Sequence, residues 1–224
     1  MSHLIREPQN TWSNLAYLVG GALLLGSAAS SRSARSLGLA LIGVGIGSFL
    51  YHASASRTLR HLDVGAMYWV FLSAILFSLG SVVPRLRIWI EKHGMALGFV
   101  TLALGGAGAA YRNVTIAGVK PLALNVTIVV ATTVLIVALV LTAVRRRTRS
   151  AVNGSVTALV AFGAAVVFQI GDRPGGFLCD PAAPIQAHAL WHCLSALAFV
   201  VAVKTIDRPV NPEHPHTLPT QPGQ

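Results

Sequence analysis

Long apolar runs separated by short charged turns set the pattern of this chain. No Asp, Glu, Lys or Arg occurs in 37–56, 94–111, 121–144 or 151–170. Each run approaches the roughly 20 apolar residues that an α-helix needs to cross the hydrocarbon core of a bilayer. Seven helical spans are predicted, at 11–29, 37–54, 62–83, 95–110, 121–144, 151–170 and 184–206. Basic or Pro/Gly-containing turns separate them, at 31–36, 57–61, 84–93, 111–120, 145–150 and 171–183. A transmembrane β-barrel is excluded, because its strands would be shorter and would alternate in polarity.

Composition narrows the class further. Of 224 residues, 54% are hydrophobic and 11% charged, with a mean hydropathy of +0.64. A soluble domain carries about 25% charged residues, so a soluble enzyme is excluded. The expected fold is all-α, an integral membrane bundle of seven transmembrane helices filling 1–206. The remainder, 207–224, holds five prolines in eighteen residues and reads as a disordered cytoplasmic tail. Its His214 and His216 are expected to be solvated.

The basic residues orient the bundle, since Lys and Arg are retained on the cytoplasmic side. Arg32, Arg35, Arg85, Arg87, Lys92, Arg145, Arg146, Arg147, Arg149, Lys204 and Arg208 fall on one side. Arg6, Arg57, Arg60, Arg112, Lys120 and Arg173 fall on the other. The N-terminus is therefore expected outside and the C-terminus in the cytoplasm. The net charge of +10 reflects this signal and anionic headgroups rather than a nucleic-acid partner. Residues 15–30 also resemble a signal peptide with a small-residue cleavage site. The polar run Asn10–Asn14 and the Glu7–Arg6 pair argue instead for a first span, because a secretory leader opens on basic residues.

Polar groups at membrane depth are costly and default to a functional hypothesis. Ser48 and His52 lie four residues apart near the end of the second span, on one helical face. Asp63 opens the third. His188 and His192 share a face in the first turns of the seventh, the spacing that places two imidazoles on one metal. Ala189, Leu190 and Trp191 lie between them, so no glutamate base is built in. A chain entering from outside brings His52, Asp63, His188 and His192 to one leaflet, level with 7–14 and with the loop carrying Asp172, Arg173, Cys179 and Asp180. Three histidines with a carboxylate nearby suit a tetrahedral zinc whose fourth position is open.

Each element also has a plainer reading. His52 alone suits a hydrogen bond to a neighbouring helix, and Ser48 a bond back to a carbonyl. Asn10, Ser13 and Asn14 suit caps of the first helix, and Asp63 a cap of the third. Gly43, Gly45 and Gly47, with Gly105, Gly106 and Gly108, suit close helix packing more than room for a lipid tail. Trp12, Tyr51, Trp69 and Trp89 read as an aromatic belt. His3, His61 and His93 read as loop or tail residues at the interface.

Taken in order, Glu7-x-x-Asn10-Thr11-x-Ser13-Asn14, Ser48-x-x-x-His52, Asp63 and His188-Ala189-x-Trp191-His192 resemble the alkaline ceramidases. These belong to a superfamily of seven-span hydrolases that includes the adiponectin/progestin receptors and the lipid-remodelling proteins of GPI-anchor maturation. The resemblance runs from Glu7 to about Phe199. It implies an intramembrane Zn2+ held by His52, His188 and His192. The implied reaction cleaves the amide of a ceramide-like membrane lipid to a fatty acid and a sphingoid base. Asp63 would act as general base and acid, and Ser48 would bond the oxyanion or position the water. Glu7, Asn10, Ser13, Asn14 and Trp191 would brace the histidines or orient the headgroup.

Two features depart from the animal and fungal members. Their acidic Asp-Trp-Cys-Glu-x-Asn stretch is matched here by Glu7 alone, so a complete Ca2+ site is not expected. Cys179 matches the family's loop cysteine without its N-terminal partner, and Cys193 reads as a small buried side chain. Compact loops resemble bacterial members, implying an inner membrane with the site towards the periplasm. Two alternatives stand: a hydrolase of another lipid ester or amide, and a non-catalytic seven-helix receptor with structural zinc. A retinal protein is excluded, because Lys204 lies near the cytoplasmic end of the last span.

Overall fold

A computed structural model describes residues 5–27, 30–111, 123–180 and 183–207. The tail with His214 and His216, and the turn with Arg112 and Lys120, lie outside the described residues, as does His3. Among the described residues there are eight α-helices and no strand. They are α1 Pro8–Ser13, α2 Leu15–Leu25, α3 Arg32–Ser54, α4 Arg57–Val82, α5 Pro84–Tyr111, α6 Ala123–Arg146, α7 Arg149–Gly171 and α8 Ala187–Ile206.

Five of them, α3, α4, α6, α7 and α8, are long and apolar enough to cross a membrane. They coincide with five of the expected spans. The expected first span is broken instead. Ser13 Oγ and Asn14 Nδ2 both donate to the Asn10 carbonyl, at 3.0 and 2.6 Å, and the Asn14 amide turns to Thr11 O. Side chains thus take the acceptor that the helical ladder would use. The 11-residue α2 that follows is about 16 Å long, short of a bilayer.

The stretch 84–93, expected as a turn, is helical. Pro84–Gly94 and Ala96–Ala110 meet at 85° within α5. Arg85, Arg87 and Lys92 in the first arm share it with exposed Ile88 and Trp89, the composition of a helix lying in a membrane interface. The stretch 57–61, also expected as a turn, is the first part of α4, so His61 and His93 sit in α4 and α5 rather than in loops.

In the bundle, α4 packs against α3, α5 and α6, while α8 packs against α7, α2 and α1. Gly21 lets α2 meet α3: a Cβ there would stand 2.6 Å from the Gly38 carbonyl oxygen and from Ile42 Cγ1. Gly105 does the same for α5 against the Gly65 carbonyl of α4. Gly43, Gly45 and Gly47 of α3 likewise abut Trp69, Leu18 and Leu62, so packing accounts for them. Phe71, Phe199, Phe162 and Trp191 form a chain of ring contacts 6.0 to 6.4 Å apart through the core. Val129, Val140, Val160 and Leu197 project outward from α6, α7 and α8, an apolar exterior that suits lipid.

The two ends of the bundle differ in chemistry. At one, Asp207 accepts from the Ser31 amide at 2.7 Å and pairs with Arg87 at 3.5 Å. Arg146 donates there to the Thr205 and Ile206 carbonyls that close α8. The other end holds the histidines.

Candidate metal centre

His52 lies in the last turn of α3, and His188 and His192 in the first turns of α8. Their ligand-capable atoms all lie within 4.8 Å of one another. Ring centroids are 5.1 Å apart for His52–His188, 5.3 Å for His52–His192 and 4.7 Å for His188–His192. His52 and His192 are buried and His188 is half-buried.

The segment before α2 fixes this geometry from outside. The amides of Arg6 and Glu7 donate to the Ala53 and His52 carbonyls at 3.0 and 3.1 Å, docking it on the end of α3. Gln9 clasps the start of α8, with Nε2 donating to Pro184 O at 2.6 Å and Oε1 accepting from the Gln186 amide at 2.9 Å. Arg6, Glu7 and Gln9 thereby bridge the two helices that carry the imidazoles.

Two of the imidazoles have Nδ1 hydrogen-bonded by an outer residue, and the third has a carboxylate close to it. His52 Nδ1 bonds Glu7 Oε2 at 2.6 Å, and Asn10 Nδ2 donates to the same oxygen at 3.0 Å. His192 Nδ1 meets Ser13 Oγ at 2.8 Å. The Ser13 hydroxyl already donates to Asn10 O, so it accepts here and His192 carries its proton on Nδ1. His188 Nδ1 faces Asp172 Oδ2 at 3.6 Å. Nε2 is then the nitrogen left for an ion on His52 and His192, and outer partners of this kind fix the tautomer of metal-ligating histidine. The donor set and its bracing fit a metal that takes neutral imidazole.

The hydrogen bond from His52 holds the Glu7 carboxyl down at about 2, against the opposing cost of burial, with help from Asn10. Glu7 therefore stays ionised at neutral pH. Burial pushes Asp172 up from the usual carboxylate range, with the Glu7 charge acting in the same direction.

The histidines form the polar head of a cavity of about 450 Å³. Glu7, Asn10, Ser48, Asp63 and Asp172 also line it, and Arg60 stands at its exposed rim. Val44, Met67, Val70, Phe71 and Phe199 make its walls apolar. Asp63 sits in the second turn of α4, which begins at Arg57 behind Ser56, so it caps nothing. Its side chain is buried and faces the cavity wall. Ser48, one turn before His52, is buried beside the same space.

The remaining expected residues divide. Asn10 lines the cavity, and its buried Oδ1 has no partner among the described residues. Ser13 reaches the site through His192. Trp191 lines the cavity and leans on Phe162. Asn14 is fully buried at the α1–α2 break, outside the cavity lining. Cys193 is exposed rather than buried, because one step beyond His192 on a helix turns a side chain about 100° away from the bundle interior. Cys179 is exposed in the loop after α7.

Tyr17 was not foreseen. Its hydroxyl bonds Ser195 Oγ at 2.6 Å, and Ser195 donates onward to Trp191 O, tying α2 to α8 beneath the His192 ring. Its position four residues after Ser13 is the signal that would have found it. Gln169 also lines the cavity, its buried Oε1 without a partner among the described residues. Glu7 joins no second metal-capable cluster among the described residues.

No curated protein matches the chain. Its residues 1–208 match the family model described as ceramidase, and with nearly the whole helical bundle inside that match the chain belongs to the ceramidase family.

Proposed function

We propose that this protein is a zinc-dependent lipid amidase that cleaves the N-acyl bond of a ceramide-like lipid, releasing a fatty acid and a sphingoid base. The observation that carries the reading is the three-imidazole cluster, two of its rings hydrogen-bonded at Nδ1 from outside, at the polar head of a cavity with apolar walls. His52, His188 and His192 are the residues that would hold Zn2+. A zinc ion bound by three imidazoles supplies Lewis acidity and acidifies water towards a pKa near 7.

The chain's own groups account for the rest of the chemistry. Asp63 accepts a proton from the attacking water and returns it to the amide nitrogen, which must be protonated to leave. Ser48 donates to the carbonyl oxygen as negative charge develops there. Val44, Val70, Phe71 and Phe199 hold an acyl chain and exclude water. Asn10 Oδ1 and Gln169 Oε1 are acceptors for the substrate's hydroxyl and amide donors. Arg60 at the rim favours a second reading within the same chemistry: a lipid ester or N-acyl lipid with an anionic headgroup.

The membrane reading completes the proposal. α1 with α2 forms the first of seven spans, the Ala96–Ala110 arm of α5 the fourth, and 207–224 a separate tail. The excess of Lys and Arg at the end opposite the histidines supports a cytoplasmic position for that end. The site then faces outward, the periplasm for a bacterial inner membrane.

The test is metal analysis of purified protein joined to fatty-acid release from ceramide, a glycerophospholipid and an N-acyl amino lipid. Zinc near one equivalent with release from ceramide supports the amidase. Release from the glycerophospholipid or N-acyl amino lipid alone moves the substrate to the second reading. Release that continues after complete metal removal overturns the scheme. Glu7→Gln is expected to keep the fold and weaken metal affinity by about 10–100-fold, the usual effect of losing an outer partner of a ligating histidine. Competition with a chelator measures it.

A further inference from the structure

A second cavity, of about 340 Å³, opens between α3, α4 and α5 at the end away from the histidines. Leu39, Trp69, Phe99 and Leu102 wall it. Leu39, Phe99 and Leu102 are 50%, 68% and 43% exposed, so the groove faces whatever surrounds the bundle. Arg32 and Arg35 stand at its head.

Its depth follows from the neighbouring Pro84–Gly94 arm of α5. That arm turns 85° away from Ala96–Ala110 and exposes Ile88 and Trp89 beside Arg85, Arg87 and Lys92. Exposed basic residues interleaved with Ile88 and Trp89 on one short helix, a mixture suited to the interface, mark the level of the headgroups. From Gly94 to Leu102 the groove then descends about 12 Å towards the hydrocarbon core.

The charge at the groove head is positive on balance, with Arg32 and Arg35 set against the single carboxylate of Glu91. Glu91 spends its carboxylate on the amides of Arg32 and Ser33 and on the Ser33 hydroxyl. The Arg32 guanidinium donates to a backbone carbonyl, Glu91 O, which leaves its charge in place. Arg35 is exposed and forms no ion pair with a described residue. Two guanidinium groups above an apolar slot at headgroup level match an anion joined to an acyl chain, and guanidinium suits phosphate in particular.

We propose that this groove binds an anionic glycerophospholipid of the surrounding leaflet, its phosphate on Arg32 and Arg35 and one acyl chain along Leu39, Trp69, Phe99 and Leu102. The site is independent of the amidase reading, since it shares no residue with the histidine cavity.

The experiment titrates delipidated full-length protein in non-ionic detergent with dioleoyl phosphatidylglycerol or dioleoyl phosphatidylcholine. Native mass spectrometry counts the bound lipid. The expected result is a first phosphatidylglycerol bound about tenfold more tightly than phosphatidylcholine. Arg35→Gln, a change at an exposed side chain, lowers phosphatidylglycerol affinity about fivefold and phosphatidylcholine affinity by less, because choline already offsets that lipid's phosphate charge. Gly98→Phe fills the slot, with only Ser36 Oγ close to its Cβ at 3.2 Å, and weakens both lipids. Equal affinity for the two lipids in the parent protein overturns the proposal. So does a phosphatidylglycerol preference that Arg35→Gln leaves undiminished.

Discussion

Replacing His192 by alanine is expected to remove metal and lipid hydrolysis together while the bundle stays folded. The ring is buried at the junction of α1, α3 and α8, and its Nδ1 is already committed to Ser13. Its loss leaves His52 on one helix and His188 on another, two ligands where a catalytic zinc uses three from the protein. Turnover should fall by at least about a thousandfold, the scale on which single members of a catalytic set act. The fold should survive. Ser13 loses one partner, a cost of about 1–3 kcal/mol, and it keeps its bond to Asn10 O. Metal per protein by elemental analysis and fatty-acid release, on the same preparation, check both halves. His93→Ala, an exposed histidine at the far end, should change neither. A His192→Ala protein that hydrolyses lipid normally without metal would remove the cluster from the chemistry.

How far the sequence reaches is visible in where helices begin. The apolar run of the second span starts at Leu37, yet α3 starts at Arg32, where Ser31 accepts from the Ala34 amide. Apolar content reports the bilayer edge, while hydrogen bonding decides the helix end, and the two differ by about a turn. The same distinction explains 84–93. Its charge reads as a turn, but a helix at the interface can expose Arg85 and Lys92 beside Ile88 and Trp89 while Ile90 and Gly94 pack inward. The break at Asn14 depends on two side chains capturing one carbonyl, a local competition that apolar patterning does not register.

The imidazoles were legible because each signal is local: Ser48 with His52, and His188 with His192, at helical spacing. Their convergence followed from counting spans, which sets which helix ends share a layer. Pairing was not legible. Nothing local says that Glu7 serves His52, that Ser13 serves His192, or that Asp172 serves His188. Those assignments depend on the docking of 5–13 across α3 and α8, made by backbone bonds and by Gln9 over a separation of more than 170 residues. Tyr17 shows the same limit, since its partner Ser195 lies 178 residues away.

Asp63→Asn is expected to keep the metal and lose the turnover. The amide nearly matches the carboxylate in shape, and Asp63 stands on α4, apart from the helices that carry the imidazoles. Metal content should therefore match the parent protein. An amide neither takes a proton from water nor gives one to a departing amine, and general acid–base groups contribute about 10²–10⁴-fold. A loss in kcat of that size with KM held would assign proton transfer to Asp63. A role in holding the substrate would raise KM and spare kcat. The pH dependence separates the cases further. If Asp63 is the base, the acidic limb of the kcat profile belongs to its carboxyl and disappears in the variant. Should Asp63→Asn turn over at the parent rate, the base must be sought among the other carboxylates at the cavity head. Asp172, which lines the cavity beside His188, would be the next residue to change.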